Sequence, residues 1–179
     1  MLYRVFAHLP SARTAAENGH PLYVWPRQGR GRVDDPDGTY SVLYASDAPA
    51  GAVAERFGDF AAWPPEMFDG PVALPDSRLA LATIDAGPAR LLDLDDAAVL
   101  VELGLRPSEV VTRDRRVTQR WARRVHDAGR WAGVGWWSYR DPRWRSYGVW
   151  DRSALRVVAV EPLDLDHPAV RDAAEVLSR

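Results

Sequence analysis

The chain has 179 residues, 46% of them hydrophobic, and a formal charge of −2. That is enough for one core-bearing domain and too little positive charge for wholesale capture of nucleic acid or anionic lipid. It contains no cysteine and no lysine, so disulfides, thiolate metal sites, cysteine nucleophiles, a P-loop lysine and a Schiff-base lysine are all excluded. Nothing near Met1 resembles a charged n-region followed by an apolar h-region, and no apolar run approaches the roughly 20 residues of a membrane span. A soluble, cytoplasmic protein that does not engage membranes is expected.

In chain order, Leu2 to His8 alternates loosely and is rich in β-formers, which predicts an opening strand. Pro10 to Gly38 is dense in Pro, Gly, Asn and Asp, a long connection of the kind usually reserved for function. It ends in the turn signal Asp34-Asp35-Pro36-Asp37-Gly38. Thr39 to Ser46 follows as a strand, with Tyr40, Val42 and Tyr44 on one face. Asp47 is placed to cap a helix running to Phe60, whose apolar stripe is Val53, Phe57 and Phe60. Glu55 falls on another face, shared with Ala48, Gly51 and Ala52.

A Pro-rich connection from Trp63 to Pro75 leads to strands at Arg78 to Ile84 and Ala89 to Leu94, then a helix from Asp95 to Leu103 closed by Gly104. The clearest helix spans Asp114 to Asp127, with Thr112 or Arg113 near its cap and a Val117, Trp121, Val125 seam. Strands are expected at Gly133 to Tyr139, Tyr147 to Trp150 and Arg156 to Glu161, and a last helix at Pro168 to Leu177 capped by Asp166. The order predicts a single α+β domain over residues 1–179, built on a mixed sheet.

Familiar catalytic templates are missing: there is no GxSxG, HExxH, GxGxxG or Walker A, and His8, His20, His126 and His167 lack metal-ligand spacing. No metal is expected. The dense stretch is Gly31 to Glu55, where an Arg precedes an acidic turn, a strand carries a Tyr, and a smooth helix face presents a carboxylate. Each residue alone has an ordinary reading: a solvated loop Arg, a strand Tyr, a solubilising Glu and, at Ser138, a hydroxyl capping backbone.

The ordered pieces Gly31-Arg32-Val33-Asp34-Asp35-Pro36-Asp37-Gly38, Val42-Leu43-Tyr44-Ala45, Ala54-Glu55 and Gly133-Val134-Gly135-Trp136-Trp137-Ser138 resemble the RES-domain family, named for its Arg, Glu and Ser. Thr118-Gln119-Arg120-Trp121-Ala122 is similar to the helix before the family's Ser strand. Two departures stand out. Val33 occupies a position that is commonly aromatic in the family, and Arg30 lies two positions before Arg32, so either arginine is open as the family's Arg. The resemblance implies an ADP-ribosyltransferase-like fold and degradation of NAD⁺ by hydrolysis or phosphorolysis. NAD⁺ would then be a substrate and not a cofactor, with inorganic phosphate as one of two acceptors. It further implies a toxin of a toxin–antitoxin pair with an Xre-like antitoxin as partner.

The residue types suit that chemistry. Nicotinamide leaves a cationic pyridinium as a neutral ring, needing no general acid, while the ribose becomes oxocarbenium-like. Glu55 is the candidate anion that stabilises this charge or holds a ribose hydroxyl. Arg32 is the candidate for bidentate grip of the pyrophosphate, and Arg4 a weaker second contact. Tyr44 offers a ring face for nicotinamide or a hydroxyl for ribose. Ser138 would orient substrate or the attacking water or phosphate. Three rivals remain: an ADP-ribosyltransferase acting on a macromolecule, a scaffold that has lost catalysis, and a nucleic-acid-binding or nuclease toxin. The last draws on Arg113, Arg115, Arg116, Arg120, Arg123 and Arg124 of one helix, for which a solvated face or an acidic protein partner is the preferred reading.

Overall fold

A computed structural model describes all residues 1–179. Twelve regular elements follow one another: β1 (Leu2–His8), β2 (Leu43–Ser46), α1 (Pro49–Phe57), β3 (Arg78–Asp85), β4 (Leu91–Asp93), α2 (Ala97–Leu103), α3 (Pro107–Val111), α4 (Arg115–Asp127), β5 (Gly133–Trp137), β6 (Arg145–Val149), β7 (Arg156–Pro162) and α5 (Pro168–Leu177). The strands form one sheet in the order β4-β5-β6-β2-β1-β3-β7. Every pairing is antiparallel except β4 with β5. The architecture is the expected α+β.

Strand alternation gives the sheet two different faces. On one, Val5, Leu79 and Leu81 pack under α1 and α5, whose Val53, Phe57, Val170 and Ala173 close the contact. The same face continues across β6 to β5, where Val134 and Trp136 pack against Leu100, Val110, Trp121 and Val125 of α2, α3 and α4. Two helical blocks therefore stand side by side on one face, with the middle of the sheet between them. The opposite face, with Leu2, Phe6, Leu43, Ala80 and Ile84, is covered by Val24 and Leu22 of the long first connection. That connection is a structural lid on the sheet, pinned by the Arg4 guanidinium, which donates to the carbonyls of Pro21 (2.6 Å) and Tyr23 (2.7 Å).

Local details depart from the sequence expectations for identifiable reasons. β2 begins at Leu43, not Thr39, because the backbone before it is satisfied by side chains. Gln28 donates to the Val42 carbonyl (2.8 Å) and accepts from its N–H, and the Asp35 carboxylate accepts from Thr39 N–H (2.6 Å). α1 is not capped by Asp47. Its N-cap is Ala48, since Asp47 Oδ1 instead accepts from the Arg145 N–H (2.8 Å) and locks the start of β6. α1 also ends at Phe57, which leaves Phe60 57% exposed and off the apolar stripe. α4 is capped by Asp114, whose side chain accepts from Arg116 N–H, and α5 by His167 in place of Asp166. α3 was not expected from the sequence. No helix is long and apolar enough to cross a membrane.

Gly51 explains how α1 lies so close to the sheet. A Cβ there would sit 2.4 Å from Ser46 Oγ and 3.3 Å from Trp144, so a larger residue would have to displace the Ser46 hydroxyl or move the helix that carries Glu55.

Candidate active site

The gap between the two helical blocks is a cavity of about 410 Å³, within the roughly 300–1,000 Å³ range of ligand sites. Its floor is the sheet at Tyr3, Tyr44 and Ser146, one wall is α1 with Glu55, and the other is the α3–α4 junction with Val111 and Arg115. Arg32, Tyr44 and Glu55, drawn from three separate stretches, all line it. Arg30 does not, which separates the two arginines left open by the sequence.

Glu55 is exposed to the cavity while its neighbours Val53 and Ala54 are fully buried. Its Oε1 accepts from Ser138 Oγ (2.8 Å) and Ser146 Oγ (3.2 Å), whereas Oε2 accepts from no protein group. The carboxylate is thus fixed by one oxygen and free at the other. Ser138 itself is 3% exposed and does not line the cavity. Its hydroxyl, which also accepts from Arg140 N–H (3.1 Å), is committed to Glu55, so it acts on a ligand through that carboxylate and not by lining the cavity. Ser146, in the strand beside it, shares the task and was missed, since a serine inside a strand gives no sequence signal.

Arg32 reaches the cavity from a loop that is itself tightly tied. Asp34, 4% exposed, accepts from the N–H groups of Gly29 (2.8 Å) and Gly31 (2.7 Å) and from the Tyr44 hydroxyl (2.7 Å). Gln119 of α4 donates to the carbonyls of Gly29 (2.9 Å) and Gly31 (3.0 Å) from the other side. Gly31 leaves room for this arrangement, since a Cβ would meet the Tyr44 hydroxyl at 2.3 Å and Asp34 Oδ1 at 2.6 Å and would have to displace their hydrogen bond. Arg32 Nη1 then donates to the carbonyls of Val110 (2.8 Å) and Thr112 (2.9 Å), and its guanidinium lies 6.0 Å from the Trp136 ring. Burial, and secondarily the nearby Arg115 charge, lower its pKa from the ordinary value.

Two of the expected side chains already have partners within the protein. The Tyr44 hydroxyl donates to Asp34 and accepts from Val33 N–H (3.1 Å), so it is committed to the loop and only the ring is presented to a ligand. Arg4 lies one position from Tyr3 and Val5, so its side chain points to the opposite face of the sheet, where burial and then Arg152 lower its pKa to about 10. Arg4 is among the residues lining the cavity, but its guanidinium is committed to the carbonyls of the first connection.

Burial and then the Asp34 charge raise the Tyr44 pKa well above its ordinary 10.0, and burial followed by Asp35 does the same for Tyr40. A raised folded-state pKa means stability is fully present below the unfolded value and lost as pH climbs past it. The thermal midpoint should therefore fall above about pH 10, with up to about 1.4 kcal/mol lost per pH unit from Tyr44. Melting followed alongside tyrosinate absorbance checks this; a midpoint flat through that range contradicts the buried phenols.

The cavity wall is richer in cations than the sequence suggested. Arg56, Arg115 and Arg140 line it with Arg32, against Glu55 and Asp59. Arg140 Nη2 pairs with Asp59 (2.6 Å), but Arg140 Nε and Arg115 Nη1 are buried without a partner. Trp136, Trp137 and Tyr139 add aromatic surface. Net positive charge beside π-faces, with one anchored carboxylate, suits a ligand that is anionic at one part and aromatic at another. No group of His, Asp or Glu is arranged to hold a metal ion.

A wider depression of about 630 Å³ lies outside α1 and α5, near Trp144 and His167, and contains none of the expected residues. Of the arginines of α4, only Arg120 is exposed without a partner. Arg116 pairs with Asp114 and Arg123 with Asp35 and Asp127, while Arg124 donates to the Leu103 carbonyl and Arg115 enters the cavity. The nucleic-acid reading loses its main support.

A family model described as RES domain matches residues 1–170. A chain of the M. tuberculosis MbcT-MbcA toxin–antitoxin complex is similar in structure, with a TM-score of 0.65 at 16% identity, covering 99% of this chain and 88% of that one. No curated protein matches the chain.

Proposed function

The chain belongs to the RES domain family, and on that premise we propose that it degrades NAD⁺ by breaking the bond between nicotinamide and ribose. The observation that carries this reading is the shared cavity, in which Glu55 presents one unoccupied carboxylate oxygen opposite a cationic wall.

In this mechanism the diphosphate lies against the arginines and the nicotinamide ring against Tyr44, Trp136 or Trp137. The C–N bond breaks with its electron pair passing to the ring nitrogen, and nicotinamide leaves neutral. Positive charge then develops on the ribose C1′ and its ring oxygen, and the Glu55 carboxylate stabilises it or holds a ribose hydroxyl. Because the two serine hydroxyls already fix Oε1, the carboxylate needs no reorientation as charge appears. A water or inorganic phosphate oxygen forms the new bond to C1′ and releases its proton. The similar M. tuberculosis chain is part of a toxin–antitoxin complex, and by analogy this protein acts as a cytoplasmic toxin controlled by an antitoxin partner.

The test is to incubate the purified protein with NAD⁺, with and without inorganic phosphate, and follow nicotinamide and the second product. Nicotinamide release is expected in either case if water attacks, with ADP-ribose as product. If phosphate attacks, release requires it and yields a phosphorylated ADP-ribose. Label appearing only on an added macromolecule would overturn the reading in favour of an ADP-ribosyltransferase.

A further inference from the structure

We infer that Arg115 is the main diphosphate contact of this cavity, and that Arg32 contributes chiefly by fixing the α3–α4 junction from which Arg115 projects. The inference deepens the NAD⁺-degrading reading and rests on it for the identity of the ligand.

Three observations carry it. Arg115 lines the cavity, yet its Nη1 is buried with no hydrogen-bond partner. Leaving a charged donor unsatisfied in this way costs more than leaving a neutral one, and an arriving anion would remove that cost. Arg32, by contrast, has already committed Nη1 to the carbonyls of Val110 and Thr112, at the end of α3 and just beyond it. Those bonds hold the short turn that leads into α4, whose first residue is Arg115. The guanidinium of Arg32 is therefore partly structural, while that of Arg115 is not.

The two cations are also neighbours. Arg115 is close enough for its charge to depress the Arg32 pKa, and no ion pair joins either arginine to a carboxylate. The nearby Glu55 charge offsets only part of their repulsion, and a diphosphate bridging the two guanidinium groups can give an oxygen to each. Arg115 sits at the N-terminal end of a 13-residue helix, whose dipole adds to the positive potential there. The sequence hid this residue among six arginines of similar spacing.

The test compares equilibrium binding of ADP and adenosine, read by isothermal titration calorimetry, for the wild type, Arg115→Met and Arg32→Met. ADP carries the diphosphate and adenosine does not, and neither needs turnover. Arg115→Met should weaken ADP binding at least about tenfold, leave adenosine unchanged and not lower the thermal midpoint, because it removes an unpaired buried charge. Arg32→Met should lower the midpoint as well, because two carbonyls lose their donor. Equal ADP affinity in wild type and Arg115→Met, a parallel loss of adenosine binding, or no ADP binding by the wild type would each overturn the inference. Arg115-dependent ADP binding by a protein that releases no nicotinamide would leave the inference standing and remove the proposed activity.

Discussion

Glu55→Gln should reduce nicotinamide release by roughly a hundredfold to a thousandfold while the protein melts within about 2 °C of the wild type. Glutamine is the informative replacement. It keeps an oxygen for the hydroxyls of Ser138 and Ser146, so packing is preserved and only the negative charge is lost. Alanine would remove the acceptor of two largely buried hydroxyls and mix a stability effect into the rate. In the proposed mechanism the charge acts where the ribose becomes cationic, so the loss should appear in kcat more than in KM. A Glu55→Gln enzyme within tenfold of wild-type turnover, measured by chromatographic release of nicotinamide, would remove Glu55 from the chemistry.

Asp34→Ala should be the most damaging substitution outside the core. The carboxylate serves two backbone N–H groups and the Tyr44 hydroxyl at once, in a position 4% exposed. Its loss strands all three donors, at about 1–3 kcal/mol for each group left unsatisfied. A combined cost of about 3 kcal/mol or more corresponds to a fall in Tm of roughly 6–12 °C for a chain of this size. Arg32 would lose its fixed approach in the same step, so turnover should fall with stability. The melting curve and the rate at a temperature where the variant remains folded check the two effects separately. A Tm within about 2 °C of wild type would mean that solvent replaces Asp34 at little cost.

Much of this was legible in the residues. Loose alternation and β-formers located Leu2–His8, a strand was expected over Arg78 to Ile84 where the β3 strand runs to Asp85, and the Val117, Trp121, Val125 seam located α4. The family resemblance singled out Arg32, Tyr44 and Glu55, which the fold gathers around one cavity. What escaped was set by contacts distant in sequence. α3 has only five residues, too few for a helical period. The early end of β2 toward the turn depends on Gln28, fourteen positions away, taking over a ladder position with its side-chain amide. The fate of the Tyr44 phenol was decided by Asp34, and the roles of Ser138 and Ser146 by a helix more than eighty residues earlier. The bonds of Arg4 to the Pro21 and Tyr23 carbonyls had no sequence signal, because a charged residue on a strand gives no hint that carbonyls on the far side await it.

The pairing of β2 with β6 joins Tyr44 to Gly148 and Ser46 to Ser146. One side of the pocket is therefore translated about a hundred residues before the other. Until β6 emerges from the ribosome and zips onto β2, Glu55 has neither hydroxyl to aim it and the arginines of α1 and α4 face no common space. Closing so long a loop is slow compared with forming any of the helices. On the proposed mechanism, a nascent or truncated chain ending before Arg145 would lack the strand that completes the pocket and should release no nicotinamide.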